Sequence, residues 1–130
     1  MTFKKIIPFV LCLSVFAISC KKDKENPSIV GFWKGKYGSN TAYPNLTYAF
    51  LFRGNGTVRV FNNSDTANAS KAEGTYTVTG NTVKTTYVYS EILQQCSTIA
   101  TVDSKFTFME GTWGNGTNTT NGGYYFINKQ

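Results

Sequence analysis

The chain has 130 residues, 13 Lys and Arg against 7 Asp and Glu for a net charge of +6, and no histidine. Without histidine, Ser-His and Cys-His catalysis and histidine metal sites are excluded. The basic residues are scattered singly rather than gathered in a stripe, which argues against nucleic acid as a partner.

Residues 1–19 read as an export peptide. Lys4 and Lys5 open it, and residues 6–18 are apolar apart from Ser14. At the helical rise of about 1.5 Å per residue this run covers about 20 Å, short of a hydrocarbon core of about 30 Å. A secretory apolar segment fits and a spanning helix does not. Ser19 then precedes Cys20, with no charge between Lys5 and Lys21. That arrangement resembles the lipobox of bacterial lipoproteins, with Ala17 standing where the pattern prefers a larger aliphatic residue. The resemblance implies cleavage before Cys20, acylation of its sulfur, and the membrane as partner through that anchor. Two or more acyl chains, at about 0.8 kcal/mol per buried CH₂, hold stably where one is marginal. Ordinary cleavage that leaves Cys20 as a plain thiol is the alternative.

Residues 20–28 form a tether, Lys21, Lys22, Asp23, Lys24, Glu25, Asn26, Pro27 and Ser28 after the cysteine, with nothing apolar to bury. The mixture of lysine and acid resembles the tag that carries some Gram-negative lipoproteins to the outer face of the outer membrane. A solvated spacer beside lipid headgroups fits the same residues. The expected location is the outer membrane by lipid anchor, with the cell surface as the address that the tag would add.

Residues 29–130 are left for one domain with a single core. Removing Lys4 and Lys5 lowers the charge from +6 to +4, and removing the tether's three lysines and two acids lowers it to +3. Of the three cysteines, Cys12 lies in the leader and Cys20 at the lipid site, so Cys96 has no partner for a disulfide within the domain.

Short alternating runs separated by Gly, Asn and Asp predict strands throughout. The first covers 29–37, with Gly31, Trp33, Gly35 and Tyr37 on one face. The second, 46–53, puts Leu46, Tyr48, Phe50 and Phe52 together. Gly54-Asn55-Gly56 turns the chain into 57–62. A polar loop over 63–70 leads to 73–79, and Gly80-Asn81 turns it into 82–89. Residues 90–96 read as a helical turn, with Ile92, Leu93 and Cys96 covering one end of a barrel. Strands at 97–103, 105–113 and 124–129 complete the set. Eight strands joined to sequence neighbours predict an all-β fold, an antiparallel up-and-down barrel, because closure removes exposed edges. A two-sheet β-sandwich of the same strands is the alternative.

Gly31-Phe32-Trp33 resembles the Gly-x-Trp that opens lipocalins and avidins, where the Trp plugs the closed end. The order of this motif, the FRGNGTV and GTYTVTGNTV hairpins, a late GTWGNG and a last apolar strand resembles the lipocalin-like domains of bacterial lipoproteins. Classical lipocalins usually add disulfides and a long C-terminal helix, and this chain has neither. The resemblance therefore bears on fold and leaves the ligand open.

For chemistry, no spacing pairs any two of Asp65, Glu73, Glu91, Asp103 and Glu110 as a glycosidase requires. Cys96 lacks a neighbouring base and reads as a buried, inert thiol. No cofactor or metal is called for, and no enzyme is expected. Alternation places Glu110 on the face of Phe106 and Phe108, where an inward direction would make it a ligand anchor and an outward one a surface acid. An eight-stranded barrel either fills with side chains or holds one small ligand. In the second case Trp33, Tyr37, Tyr43, Tyr87, Tyr89 and Glu110 are the candidate binding residues, with Tyr37, Tyr43, Tyr87 and Tyr89 at the mouth. The ligand expected there is small and either apolar or a glycan. A solid barrel serving as a non-catalytic module that contacts protein or polysaccharide is the alternative.

Overall fold

Alternation of apolar and polar residues becomes eight strands in the computed structural model, which describes residues 26–130. They are β1 (Gly31–Tyr37), β2 (Leu46–Phe52), β3 (Thr57–Phe61), β4 (Lys71–Thr79), β5 (Thr82–Tyr89), β6 (Gln94–Val102), β7 (Phe108–Asn115) and β8 (Gly123–Lys129). The predicted leader, Cys20 and the start of the tether lie outside the described residues. Each strand pairs antiparallel with its sequence neighbour, and β8 returns to β1, from Trp33 opposite Lys129 to Tyr37 opposite Tyr125. The fold is thus a closed up-and-down barrel, and the sandwich is excluded.

The inward set is Trp33 and Tyr37 from β1, Tyr48, Phe50 and Phe52 from β2, Val58 and Val60 from β3, and Val83 and Tyr87 from β5. Ala72 from β4 joins them, as do Cys96, Ala100, Val102, Met109, Tyr125 and Ile127 from β6, β7 and β8. Small residues are needed where strands bend around so many rings. At Gly74 a Cβ would overlap the carbonyl of Thr86 on β5, so β4 and β5 approach more closely than any side chain allows.

The two ends differ. Loops 38–45, 62–70, 90–93 and 116–122 gather at one end, while the tighter turns 53–56, 80–81 and 103–107 gather at the other. That second end is closed. Trp33 is fully buried there, its Nε1 donating to the Ile29 carbonyl at 2.8 Å, and its ring meets Phe52 edge to face at 6.2 Å. Gly31 enters at φ +136° with the Lys129 chain close beneath it, a conformation that favours glycine. Lys129 Nζ in turn donates to the Ser28 carbonyl at 2.7 Å.

Two local expectations are corrected. Residues 90–96 form no helical turn: a tight turn at 90–93, with Leu93 at φ +52°, hands directly into β6, and Tyr89 pairs with Gln94. Leu93 is 82% exposed and covers nothing, while Cys96 points into the barrel. Likewise β7 begins at Phe108, not at 105. Asp103 organises the turn before it, accepting from Thr107 N and Oγ1 at 2.6 Å each and from Phe108 N at 3.1 Å. Phe106 consequently sits at φ +54° and packs inward, whereas Phe108 stays outside. The shared face of Phe106, Phe108 and Glu110 is broken by that turn, and Glu110 lies on the outer wall.

A second, smaller cluster lies outside the barrel. Ala69, in the polar loop over 63–70, is buried against Ala49 and Phe61, with Phe32 and Leu51 packed alongside.

Candidate functional site

Four strands deliver aromatic rings to the open end. β1 ends at Tyr37, β2 begins near Tyr48, β5 ends with Tyr87 and Tyr89, and β7 ends near Trp113. Their heights are set by register: Gly35 faces Tyr48 across β1 and β2, and Tyr87 faces Cys96 across β5 and β6. Between them lies a cavity of about 200 Å³, lined also by Asn62, Ser70, Glu91, Ile92, Gln94 and Cys96.

The rings hold each other at fixed angles. Tyr37 and Tyr48 tilt at 49° with centroids 4.9 Å apart. Tyr37 meets Trp113 edge to face at 5.9 Å, and Tyr87 meets Tyr89 in the same way at 5.8 Å. The indole Nε1 of Trp113 donates to the Gly38 carbonyl at 2.9 Å, tying that ring to the 38–45 loop. At the floor, the hydroxyls of Tyr48 and Tyr87 bond to each other. At the rim, Ser70 Oγ donates to Glu91 Oε2 at 3.1 Å, Ser70 N donates to Asn62 Oδ1 at 3.0 Å, and Gln94 Nε2 donates to Asn115 Oδ1 at 3.0 Å.

Electrostatically the site is neutral within and acidic at its lip. Burial, reinforced by neighbouring phenols, pushes the Tyr48 and Tyr87 hydroxyls well above the ordinary range for tyrosine. Burial raises Tyr89 too. It also pushes the Cys96 thiol up, so the reactive thiolate is disfavoured. Glu91 is the charged side chain in the lining, and no Lys or Arg shares it.

Of the six predicted residues, Tyr37, Tyr87 and Tyr89 come together here. Trp33 does not, being buried at the opposite end. Tyr43 and Glu110 lie instead along a groove of about 630 Å³ on the outer wall of β7 and β8, with Pro44, Phe108, Tyr124 and Phe126. Tyr48 had signalled the face it shares with Phe50 and Phe52 by alternation, whereas the facing of Trp113 was open with that of Glu110, and the height of both rings along the barrel depends on register. Asn62, Ser70 and Glu91 carried no signal, since loop residues have no periodicity to read, and Gln94 opens β6 in a stretch that the sequence reads as a helical turn. Among the described residues no three Cys, Asp or Glu side chains come together as a metal site would need.

Comparison with protein-family models, with curated proteins and with solved structures finds no match to this chain.

Proposed function

We propose that this protein is a lipid-anchored binding module of the bacterial cell envelope, tethered through Cys20, whose barrel holds one small apolar or glycan ligand at its open mouth. The observation that carries this reading is the contrast in filling. One end is packed shut around Trp33, while the other leaves about 200 Å³ among Tyr37, Tyr48, Tyr87, Tyr89 and Trp113. Ring faces with a few polar groups at the rim are the usual composition of a small-molecule pocket. The volume lies below the roughly 300 Å³ at which drug-sized sites begin, so the ligand is a single ring or a short chain. The up-and-down barrel and the buried Trp of Gly31-Phe32-Trp33 support the lipocalin-like part of this reading. The protonated thiol of Cys96 supports binding over chemistry.

Native mass spectrometry of the protein purified from its own envelope tests this. One small molecule should be retained, and Gln94→Trp, which places a bulky ring at the exposed rim, should abolish its retention. Recovery of the protein without any adduct, from cells in which its mouth is unaltered, contradicts the reading.

A second reading rests on the outer groove. Tyr43 is 80% and Tyr124 57% exposed there, beside Phe108 and Phe126. Such a patch suits a protein or polysaccharide contact. A stoichiometric partner that survives Gln94→Trp and is lost with Tyr124→Lys would favour this second role.

A further inference from the structure

Resting on the mouth as a binding site, we infer that its ligand presents an alkylammonium head, a methylated cation seated among Tyr37, Tyr87, Tyr89 and Trp113 beneath the carboxylate of Glu91. Three features of the pocket select this class over the others that fit by size.

The first is the wall. Tyr37 against Trp113, and Tyr87 against Tyr89, meet edge to face at 85° in both pairs. Perpendicular rings on two sides of one cavity make a cage rather than a slot. The faces of such rings are negative, and they attract a cation that approaches within about 6 Å of their centroids. A flat ligand would prefer parallel walls.

The second is charge. The folded part has a surplus of basic residues, yet the lining of this cavity contains Glu91 and no cation. An anionic ligand would meet negative ring faces and a carboxylate. A wholly apolar one would take water from Glu91 and return nothing. A cation is attracted by both.

The third is the state of the polar groups. Most polar groups of the lining are already engaged, the Tyr48 and Tyr87 hydroxyls with each other, Asn62 with Ser70, Ser70 with Glu91, and Gln94 with Asn115, which leaves the Tyr37 and Tyr89 hydroxyls as the phenols open to a ligand. A sugar needs several new hydrogen bonds to replace its water. A methylated ammonium needs none, because its charge is spread over C–H groups that the ring faces receive directly. Size agrees, since an apolar cavity of about 150 Å³ already holds benzene. The 200 Å³ here accommodates a trimethylammonium head and a short tail.

The test is calorimetric titration of the full chain, purified in a polyoxyethylene detergent that carries neither ammonium nor sugar. The probes are choline, its uncharged tert-butyl isostere and methyl glucoside. Choline should bind about tenfold or more tightly than the isostere. Glu91→Gln, at an exposed position, should weaken choline several-fold and leave the isostere unchanged, and Tyr89→Leu should weaken choline further. If the isostere or the glucoside binds as well as choline does, the inference fails while the mouth stands as a binding site. If none of the three binds, both fail.

Discussion

The two ends of this barrel are made by the same eight strands and the same alternation, yet they solve different problems. At the closed end the inward residues are Trp33, Phe52, Val58, Val102, Met109 and Ile127, with Ile29 folded across them. Hydrocarbon packing there asks for few partners: the indole N–H finds the Ile29 carbonyl, the Tyr76 hydroxyl donates to the Arg53 carbonyl at 2.7 Å, and the rest is shape. At the mouth nearly every large inward residue carries a hydroxyl, an N–H or a thiol. Those groups must bond to each other or face the cavity, so the mouth cannot be filled as simply as the closed end. The difference teaches that the space among the tyrosines follows from residue choice as well as from loop length. A phenol in place of each Phe keeps the ring area but adds a group that resists complete burial.

The sharpest way to break that contrast is at the closed end. Trp33→Ala removes the plug, and a buried Trp or Phe cut to Ala costs about 3–5 kcal/mol. At about 4–8 °C per kcal/mol for a domain near this size, the thermal midpoint should fall by more than 10 °C or so. Chemical and thermal unfolding measure it. A midpoint within a few degrees of the parent would mean that the closed end is not where the stability resides.

The mouth should respond less, and with a different pattern. Tyr48→Phe alone leaves the Tyr87 hydroxyl buried without its partner, as Tyr87→Phe does for Tyr48. Each single change should cost about 1–3 kcal/mol, and the double change should cost less than the sum because it removes both stranded groups together. A double-mutant cycle by urea unfolding reads the coupling. Strict additivity would show that the two hydroxyls do not act as a pair.

Much of the barrel could be read before any coordinates. Alternation placed the rings, Gly54-Asn55-Gly56 and Gly80-Asn81 placed two hairpins, and Gly31-Phe32-Trp33 pointed to the closed end. The failures have a common cause. At 103–107 the Asp103 carboxylate captures backbone and side-chain donors, and that local bonding reverses the facing of Phe106. At 90–93 the ladder between β5 and β6 overrides the helical spacing of Ile92 and Cys96. The site was half legible for a related reason. Face is a local property of a strand, whereas the height of Tyr37 or Trp33 along the barrel is set by pairing with another strand. Tyr43 was misplaced relative to the mouth because a loop decides where it points, and the open question of Glu110 is settled by the turn before β7, which leaves it outward as a surface acid.

Alkaline pH bears most heavily on the mouth, although burial raises the Tyr76 hydroxyl at the closed end as well. Tyr48, Tyr87, Tyr89 and Tyr125 all have their hydroxyls raised, burial being the first cause in each case. An unfolded tyrosine ionises near pH 10, while these stay protonated in the fold. Their stabilising effect is therefore complete below about pH 10 and is lost as pH rises toward the folded values, by up to about 1.4 kcal/mol per pH unit for each such residue. Stability measured from pH 9 to 11, a range set by the ordinary tyrosine value of about 10, should fall steeply in the parent. The Tyr48→Phe, Tyr87→Phe double variant should fall less steeply. Equal slopes would mean that the floor pair does not resist ionisation.

The smallest effect lies outside the barrel. Glu73 on β4 bonds to Arg53 at 3.0 Å and to Arg59, bracing the outer wall beside the 53–56 turn of the closed end. These are the ion pairs found among the described residues, and no such pair spans the loops of the mouth. Partial burial opposes ionisation of Glu73, but the bonds and charges of the two arginines outweigh it and hold the carboxyl below its usual range. The sign follows: the brace is present above the unfolded glutamate value of about 4.3 and disappears as pH falls through the lower folded value. Because all three side chains reach solvent, Glu73→Gln should cost only about 0–1 kcal/mol at neutral pH. That difference should shrink in about 1 M salt, where charges are screened within about 3 Å, and should vanish in acid once the pH is below the lowered folded value. A loss that persisted unchanged in acid would have to come from packing of the Glu73 stem against the wall, and the closed end would then owe nothing to its charges.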